Sequence, residues 1–203
     1  MIKQTFCTAF AIFVIATASA RAQDYDFLGL EFKTSAGTMI PLVDGQFEKT
    51  WSIGDGVNTK LPSPRAGVFV WYLSNDITRG DNRWSEVYAG PTFVPRKWIE
   101  IQIGVGIDST QAARIGGGVY VNGHFGNGMV TMEQGGSGLW YKGAYTHHLS
   151  GPVAFGFFTQ RFADTGPLVE LKVSKTYALW FSAGPNLENR QFATITGLNI
   201  KLP

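Results

Sequence analysis

Between residues 98 and 108 the chain reads Trp-Ile-Glu-Ile-Gln-Ile-Gly-Val-Gly-Ile-Asp, so aliphatic residues alternate strictly with polar or small ones. Side chains of an extended strand point in turn to its two faces. Ile99, Ile101, Ile103, Val105 and Ile107 therefore share one face, and Trp98, Glu100, Gln102, Gly104, Gly106 and Asp108 share the other. The same period sets Ile115, Val119 and Val121 against Arg114, Gly116, Gly118, Tyr120 and Asn122, and Val169, Leu171 and Val173 against Glu170, Lys172 and Ser174. Leu139, Tyr141 and Tyr145 oppose Lys142 and Thr146, and Phe192, Leu198, Ile200 and Leu202 oppose Asn199 and Lys201. Further strands are predicted near 65–74, 86–94, 128–133, 153–162 and 177–184, with one or two weaker ones between 26 and 52. Beyond Gln23, Gly, Pro, Asn and Asp interrupt the chain too often for a helical period, and the predicted fold class is all-β.

The connections at 94–97, 123–128, 135–138, 149–152 and 163–167 are short and rich in turn residues. Short turns join antiparallel neighbours, whereas parallel strands need long crossovers, so the expected topology is an up-and-down meander of about ten strands, within a range of eight to twelve. Gly116-Gly117-Gly118 and the glycines of 123–128 precede no helix that would hold a phosphate, and they read as places where strands bend or crowd.

Composition sharpens the picture at the start of the chain. Met1-Ile2-Lys3 is a short basic opening, residues 6–18 are apolar, and Ala18-Ser19-Ala20-Arg21-Ala22 offers small-x-small cleavage sites. Residues 1–22 are expected to be a secretory signal peptide, leaving 23–203 as one domain. The apolar run falls short of the roughly 20 residues that a membrane-spanning helix requires. Cleavage removes Cys7, the one cysteine, and takes Lys3 and Arg21 from the 17 bases, leaving 15 to balance the 15 acids. No basic patch remains to suggest nucleic acid as a partner.

Only 16% of the 203 residues are charged, against 14% aromatic and 25 glycines. Soluble domains carry roughly 25% charge, so either the surface is poor in ions or the surroundings are not only water. Eleven residues of strand tilted by about 45° rise roughly 25 Å, the height of the apolar band of a membrane barrel. In such a barrel the polar faces line the lumen, and Glu86, Glu100, Asp108 and Glu170 are expected to pair there with Arg114, Lys142 and Lys172. The aliphatic set Ile99, Ile101, Ile103, Val105 and Ile107 would then face lipid. Trp71, Tyr72, Trp84, Tyr88, Trp98, Trp140, Tyr141, Tyr177 and Trp180 are expected near strand ends, as interfacial girdles.

Segments such as Glu86-Val87-Tyr88-Ala89-Gly90-Pro91 and the alternating run at 98–106 resemble the small outer-membrane β-barrel proteins of diderm bacteria. The resemblance covers nearly the whole mature chain but is one of pattern and points to no functional subfamily. It implies an antiparallel up-and-down β-barrel in the outer membrane, with the lipid bilayer and the outer-membrane assembly machinery as partners. It also implies a non-enzymatic structural, adhesive or narrow-pore role. A soluble exported β-sandwich or lipocalin-like barrel, periplasmic or secreted and binding a small apolar ligand, is the rival reading. It requires the Ile103 face to point inward.

Candidate chemistry is sparse. His147-His148-Leu149-Ser150 contains a His-x-Ser spacing similar to that of outer-membrane lipid A deacylases, in which a histidine acts as base on a serine nucleophile. His148 and Ser150 would carry that reaction in a lipid-modifying barrel hydrolase. No carboxylate follows before Asp164, and Ser150-Gly151-Pro152 reads as a turn, so the expectation is no catalytic residue. His124 with His147 and His148 would be a candidate metal set, but adjacent residues on a strand point to opposite faces, and neither metal nor cofactor is expected. Arg79-Gly80-Asp81 matches an adhesion tripeptide, a match short enough to arise by chance.

Overall fold

The computed structural model describes residues 27–35, 38–53, 64–75, 84–110, 112–136, 138–149 and 151–202. The expected signal peptide, Arg79-Gly80-Asp81 and Ser150 lie outside the described residues. Twelve strands follow one another: β1 Phe27–Ser35, β2 Thr38–Ser52, β3 Arg65–Ser74, β4 Ser85–Arg96, β5 Ile99–Asp108, β6 Ala113–Asn122, β7 Gly126–Gly135, β8 Gly138–His148, β9 Val153–Gln160, β10 Thr165–Lys172, β11 Tyr177–Pro185 and β12 Phe192–Lys201. Each pairs antiparallel with its sequence neighbours, and β1 also pairs with β12, from Phe27↔Lys201 to Ser35↔Ala193, which closes the sheet into a barrel. Closure leaves no strand edge exposed. The meander is as expected, at the top of the expected range. The region 26–52 alternates weakly yet supplies two full strands, because the inward face of β2 is Leu42, Asp44, Gln46 and Glu48 rather than a clean polar row.

The barrel has two ends. The first residues of β1 and the last of β12 share one, here called the terminal end, with the connections after β2, β4, β6, β8 and β10. The opposite end carries the connections after β1, β3, β5, β7, β9 and β11.

Exposure settles which face meets what. Ile103 is 59% and Val105 69% exposed on the outside of β5, while Glu100, Gln102 and Asp108 on its other face are buried. The outer surface continues with Ile115, Val130, Leu139, Phe155, Phe157, Leu171, Leu179 and Phe181, all exposed. A contiguous apolar belt around a barrel is unstable in water and stable in hydrocarbon, so the surroundings of this belt are lipid. A sandwich or an apolar-ligand cup would hide the aliphatic face, and this molecule displays it.

Two apolar clusters pack inside. One joins Phe69, Trp71, Leu73, Tyr88 and Trp140, and the other Phe158, Leu168, Trp180 and Ile195. Trp71 and Tyr88 stack with ring centroids 5.1 Å apart, and Phe158 and Trp180 lie 5.2 Å apart. This corrects the girdle expectation for Trp71, Tyr88, Trp140 and Trp180, which point into the lumen; Trp98 and Tyr177 are exposed at the terminal end. Inward glycines make room for the rings. A Cβ on Gly106 would stand 2.7 Å from Tyr88 Cδ1, and one on Gly104 2.8 Å from Phe69 Cζ. The Trp180 indole lies across Gly197 so closely that any Cβ there would overlap it. Gly197→Val is therefore expected to destabilise the barrel by about 1–3 kcal/mol or more, read as a lower urea midpoint in lipid, and Trp180→Ala in the same chain should restore part of the loss.

Candidate functional site: the charged lumen

The barrel interior is polar as well as aromatic, and its ions come from strands far apart in sequence. Near the opposite end, β4, β5, β6 and β7 bring together Glu86, Asp108, Arg114 and Glu133. Arg114 Nη2 donates to Asp108 Oδ2 at 2.9 Å, its Nε lies 3.4 Å from Glu86 Oε2, and its Nη1 is 4.0 Å from Glu133 Oε1. The Tyr88 hydroxyl donates to Glu133 Oε2. Asp108 Oδ1 accepts from the Thr110 amide at 2.9 Å, the Thr110 hydroxyl at 2.6 Å and the Ala112 amide at 3.1 Å, so the turn after β5 is tied to the same cluster.

Deeper in the barrel Lys142 reaches from β8 across the lumen to β1 and β2. Its Nζ donates to Glu31 Oε1 at 2.5 Å and to Asp44 Oδ2 at 3.1 Å, and Trp71 Nε1 donates to Asp44 Oδ1 at 2.5 Å. Toward the terminal end, Gln102 Nε2 bridges Glu100 Oε1 at 2.6 Å and Glu48 Oε2 at 3.4 Å, and the Tyr120 hydroxyl donates to Gln46 Oε1 at 2.9 Å. In the turn between β9 and β10, Asp164 is fully buried and accepts from the Ser182 hydroxyl at 2.5 Å. Burial pushes the Asp164 carboxyl above the usual range, against the opposing pull of that hydroxyl.

Of the residues singled out from the sequence, Glu86, Asp108 and Arg114 meet in one cluster, and Lys142 stands at the centre of another. Glu100 accepts from Gln102 nearer the terminal end. Glu170 is half-buried, and Lys172 is exposed at the terminal rim with its Nζ 2.8 Å from His148 Nδ1. Sequence reading missed Glu31, Asp44, Glu48, Glu133 and Asp164. Glu133 carried a readable signal, since Met129, Thr131 and Glu133 alternate with Val130 and Met132. Glu31 and Asp44 fall in the weakly alternating region, and Asp164 is a turn residue whose burial depends on β11.

The lumen is strongly acidic. Glu31, Asp44, Glu48, Glu86, Glu100, Asp108, Glu133 and Asp164 are all buried, and Lys142 is the one fully buried base among the described residues. It is also crowded with buried side chains. A void between Phe69, Trp71, Tyr88, Gln102, Tyr120 and Thr131 measures about 10 Å³, room for about one water molecule. Ser182, the serine that touches a carboxylate, is buried and has no histidine beside it among its hydrogen-bond partners. His147 points outward and His148 inward, so the two imidazoles do not converge. Among the described residues no group of three or more His, Cys, Asp or Glu is arranged to hold a metal ion.

No protein-family model matches the chain, and no curated protein does. Among solved structures the chain is similar to the KdgM porin, at 11% identity and TM-score 0.51 over 87% of this chain and 99% of that one. It is similar also to the KdgM porin in complex with disordered oligogalacturonate, at 10% identity and TM-score 0.51 over the same 87% and 99%. Outer membrane phospholipase A from Escherichia coli aligns at 11% identity and TM-score 0.49, over 93% of this chain and 97% of that one. The likeness to the porin establishes the fold: this is a closed antiparallel barrel of the outer-membrane type.

Proposed function

We propose that this outer-membrane barrel has no enzymatic role and serves as a structural scaffold whose lumen is closed by its own side chains. The observation that carries the reading is the packed interior, where two aromatic clusters and the Arg114 and Lys142 networks reach across the lumen from distant strands. An open solute pore needs a continuous water-filled path, and ion pairs spanning the lumen occupy that path. Reconstituted into a planar bilayer at neutral pH, the purified barrel is expected to show no steady open-channel current. Stable, long-lived channels that pass sugars would overturn the proposal.

The excess of buried carboxylates favours one second reading, a narrow passage for small cations. In that case any residual current would be cation-selective, because the lumen attracts positive charge and repels anions. An oligogalacturonate is a polyanion, so a lumen lined in this way disfavours a ligand like the one in the KdgM complex. A hydrolase using His148 and Ser150 draws no support from the described geometry, in which His148 engages Lys172. We take the mature chain to begin at Gln23, after export through the signal peptide.

A further inference from the structure

The chain beyond its expected signal peptide is formally neutral, yet among the described residues the fold separates the charges. Acids go inside: Glu188, in the opposite-end turn where Arg161 Nε lies 3.0 Å from its Oε1, is the one exposed acid among the described residues. Bases go to the terminal end: Arg96, Lys97, Lys172, Lys175 and Lys201 are all exposed there. None of the five forms an ion pair with a described residue, and among the described residues the acids of that half, Glu48 and Glu100, are buried in the lumen, with Glu170 half-buried. Backbone bonds gather three of them. The Lys201 amide donates to Thr176 O at 2.8 Å and the Lys172 amide to Pro152 O at 2.8 Å, which sets Lys172, Lys175 and Lys201 on one arc formed by β10, β11 and β12. Arg96 and Lys97 occupy the turn between β4 and β5.

The same rim is apolar at its tips. Trp98, Phe125, Leu149 and Val173 stand in the connections after β4, β6, β8 and β10, each exposed, with Phe125 at 71%. A polyanion in water would satisfy the cations and leave these four side chains wet. A headgroup layer satisfies both, because lysine and arginine reach phosphates while neighbouring rings rest at the edge of the hydrocarbon. We propose that the terminal end of the barrel binds a layer of anionic phospholipid headgroups, its five cations on the phosphates and its apolar tips at the acyl boundary. The occupant is fixed by charge complementarity and by continuity with the lipid-facing belt just above the rim.

The test uses the whole folded barrel in detergent, titrated with phosphatidylglycerol or with phosphatidylcholine of the same acyl chains, with bound lipid counted by native mass spectrometry. Each cation near an anionic surface contributes roughly fivefold, so the expected preference for phosphatidylglycerol is at least about tenfold. Replacing Lys97, Lys172, Lys175 and Lys201 together by Gln should remove it, while Arg190→Gln at the opposite end should leave it intact. Heat-modifiable gel mobility verifies that each variant is folded, and a salt series on the unaltered chain gives an independent reading, in which the preference must shrink as ionic strength rises. Equal binding of the two lipids, a salt-independent preference, or a stronger preference for lipopolysaccharide than for phosphatidylglycerol of equal charge would each overturn the proposal.

Discussion

Ile103→Arg is expected to lower the stability of the inserted barrel by about 2–4 kcal/mol, the cost of a cationic side chain at the bilayer midplane on a lipid-facing strand. Ile103 lies mid-way along β5, opposite Gly117 of β6, and is 59% exposed on the outer wall. There is no acid on that face of β5 to receive the guanidinium, since Glu100 and Asp108 point inward. Folding into lipid vesicles followed by heat-modifiable mobility and urea titration measures the loss. A control at Gln102, the inward neighbour, separates the two faces: Gln102→Asn, which keeps an uncharged amide on the lumen side, is expected to leave insertion into lipid intact. If Ile103→Arg inserted as well as the unaltered chain, the outer wall would not be a lipid-facing surface.

Lys142→Met is expected to cost about 3–5 kcal/mol, because it removes the cation from a buried pair and leaves Glu31 and Asp44 charged and facing one another without it. The effect is one of uncompensated charge rather than lost packing, since methionine fills a similar volume. Glu31→Gln together with Asp44→Asn in the Lys142→Met background should therefore recover a substantial part of the loss. The urea midpoint of the folded barrel in lipid reports both steps. Failure of the double replacement to rescue would mean that Lys142 acts through shape alone. The same logic applies to Arg114, which has Asp108, Glu86 and Glu133 around it, although the Asp108 carboxylate there keeps the donors of the turn after β5.

These two positions mark how far the sequence could be read. Ile103 belongs to a strict alternation, and a period of two needs only local geometry, so the strand, its outer face and its approach to lipid were legible from residues 98–108 alone. Lys142 was legible as an inward residue for the same reason. Its partners were not. Glu31 and Asp44 stand 111 and 98 residues away along the chain, on strands whose weak alternation hid them, and only barrel closure brings β1 and β2 across from β8. The aromatic side chains show the opposite error. Trp71, Tyr88, Trp140 and Trp180 look like interfacial residues when counted along strands, yet each lies on the inward parity, and glycines of neighbouring strands leave a floor for the Tyr88 and Trp180 rings. The match of ring to glycine is a relation between strands, and composition reports only that both are plentiful.

What the sequence determined by itself is the class of the molecule: alternation made strands, short turns made them antiparallel neighbours, and one aliphatic face made the outer wall. These follow from contacts within a few residues and need no knowledge of the closed barrel. The tertiary structure decided the count of twelve, the closure of β1 on β12, the meeting of distant side chains across the lumen and, among the described residues, the sorting of charge into an acidic interior and a basic rim. Each of those depends on which distant strands face one another, and a sequence whose acids and bases are mixed along its length carries no trace of a separation that arises only when the sheet closes on itself.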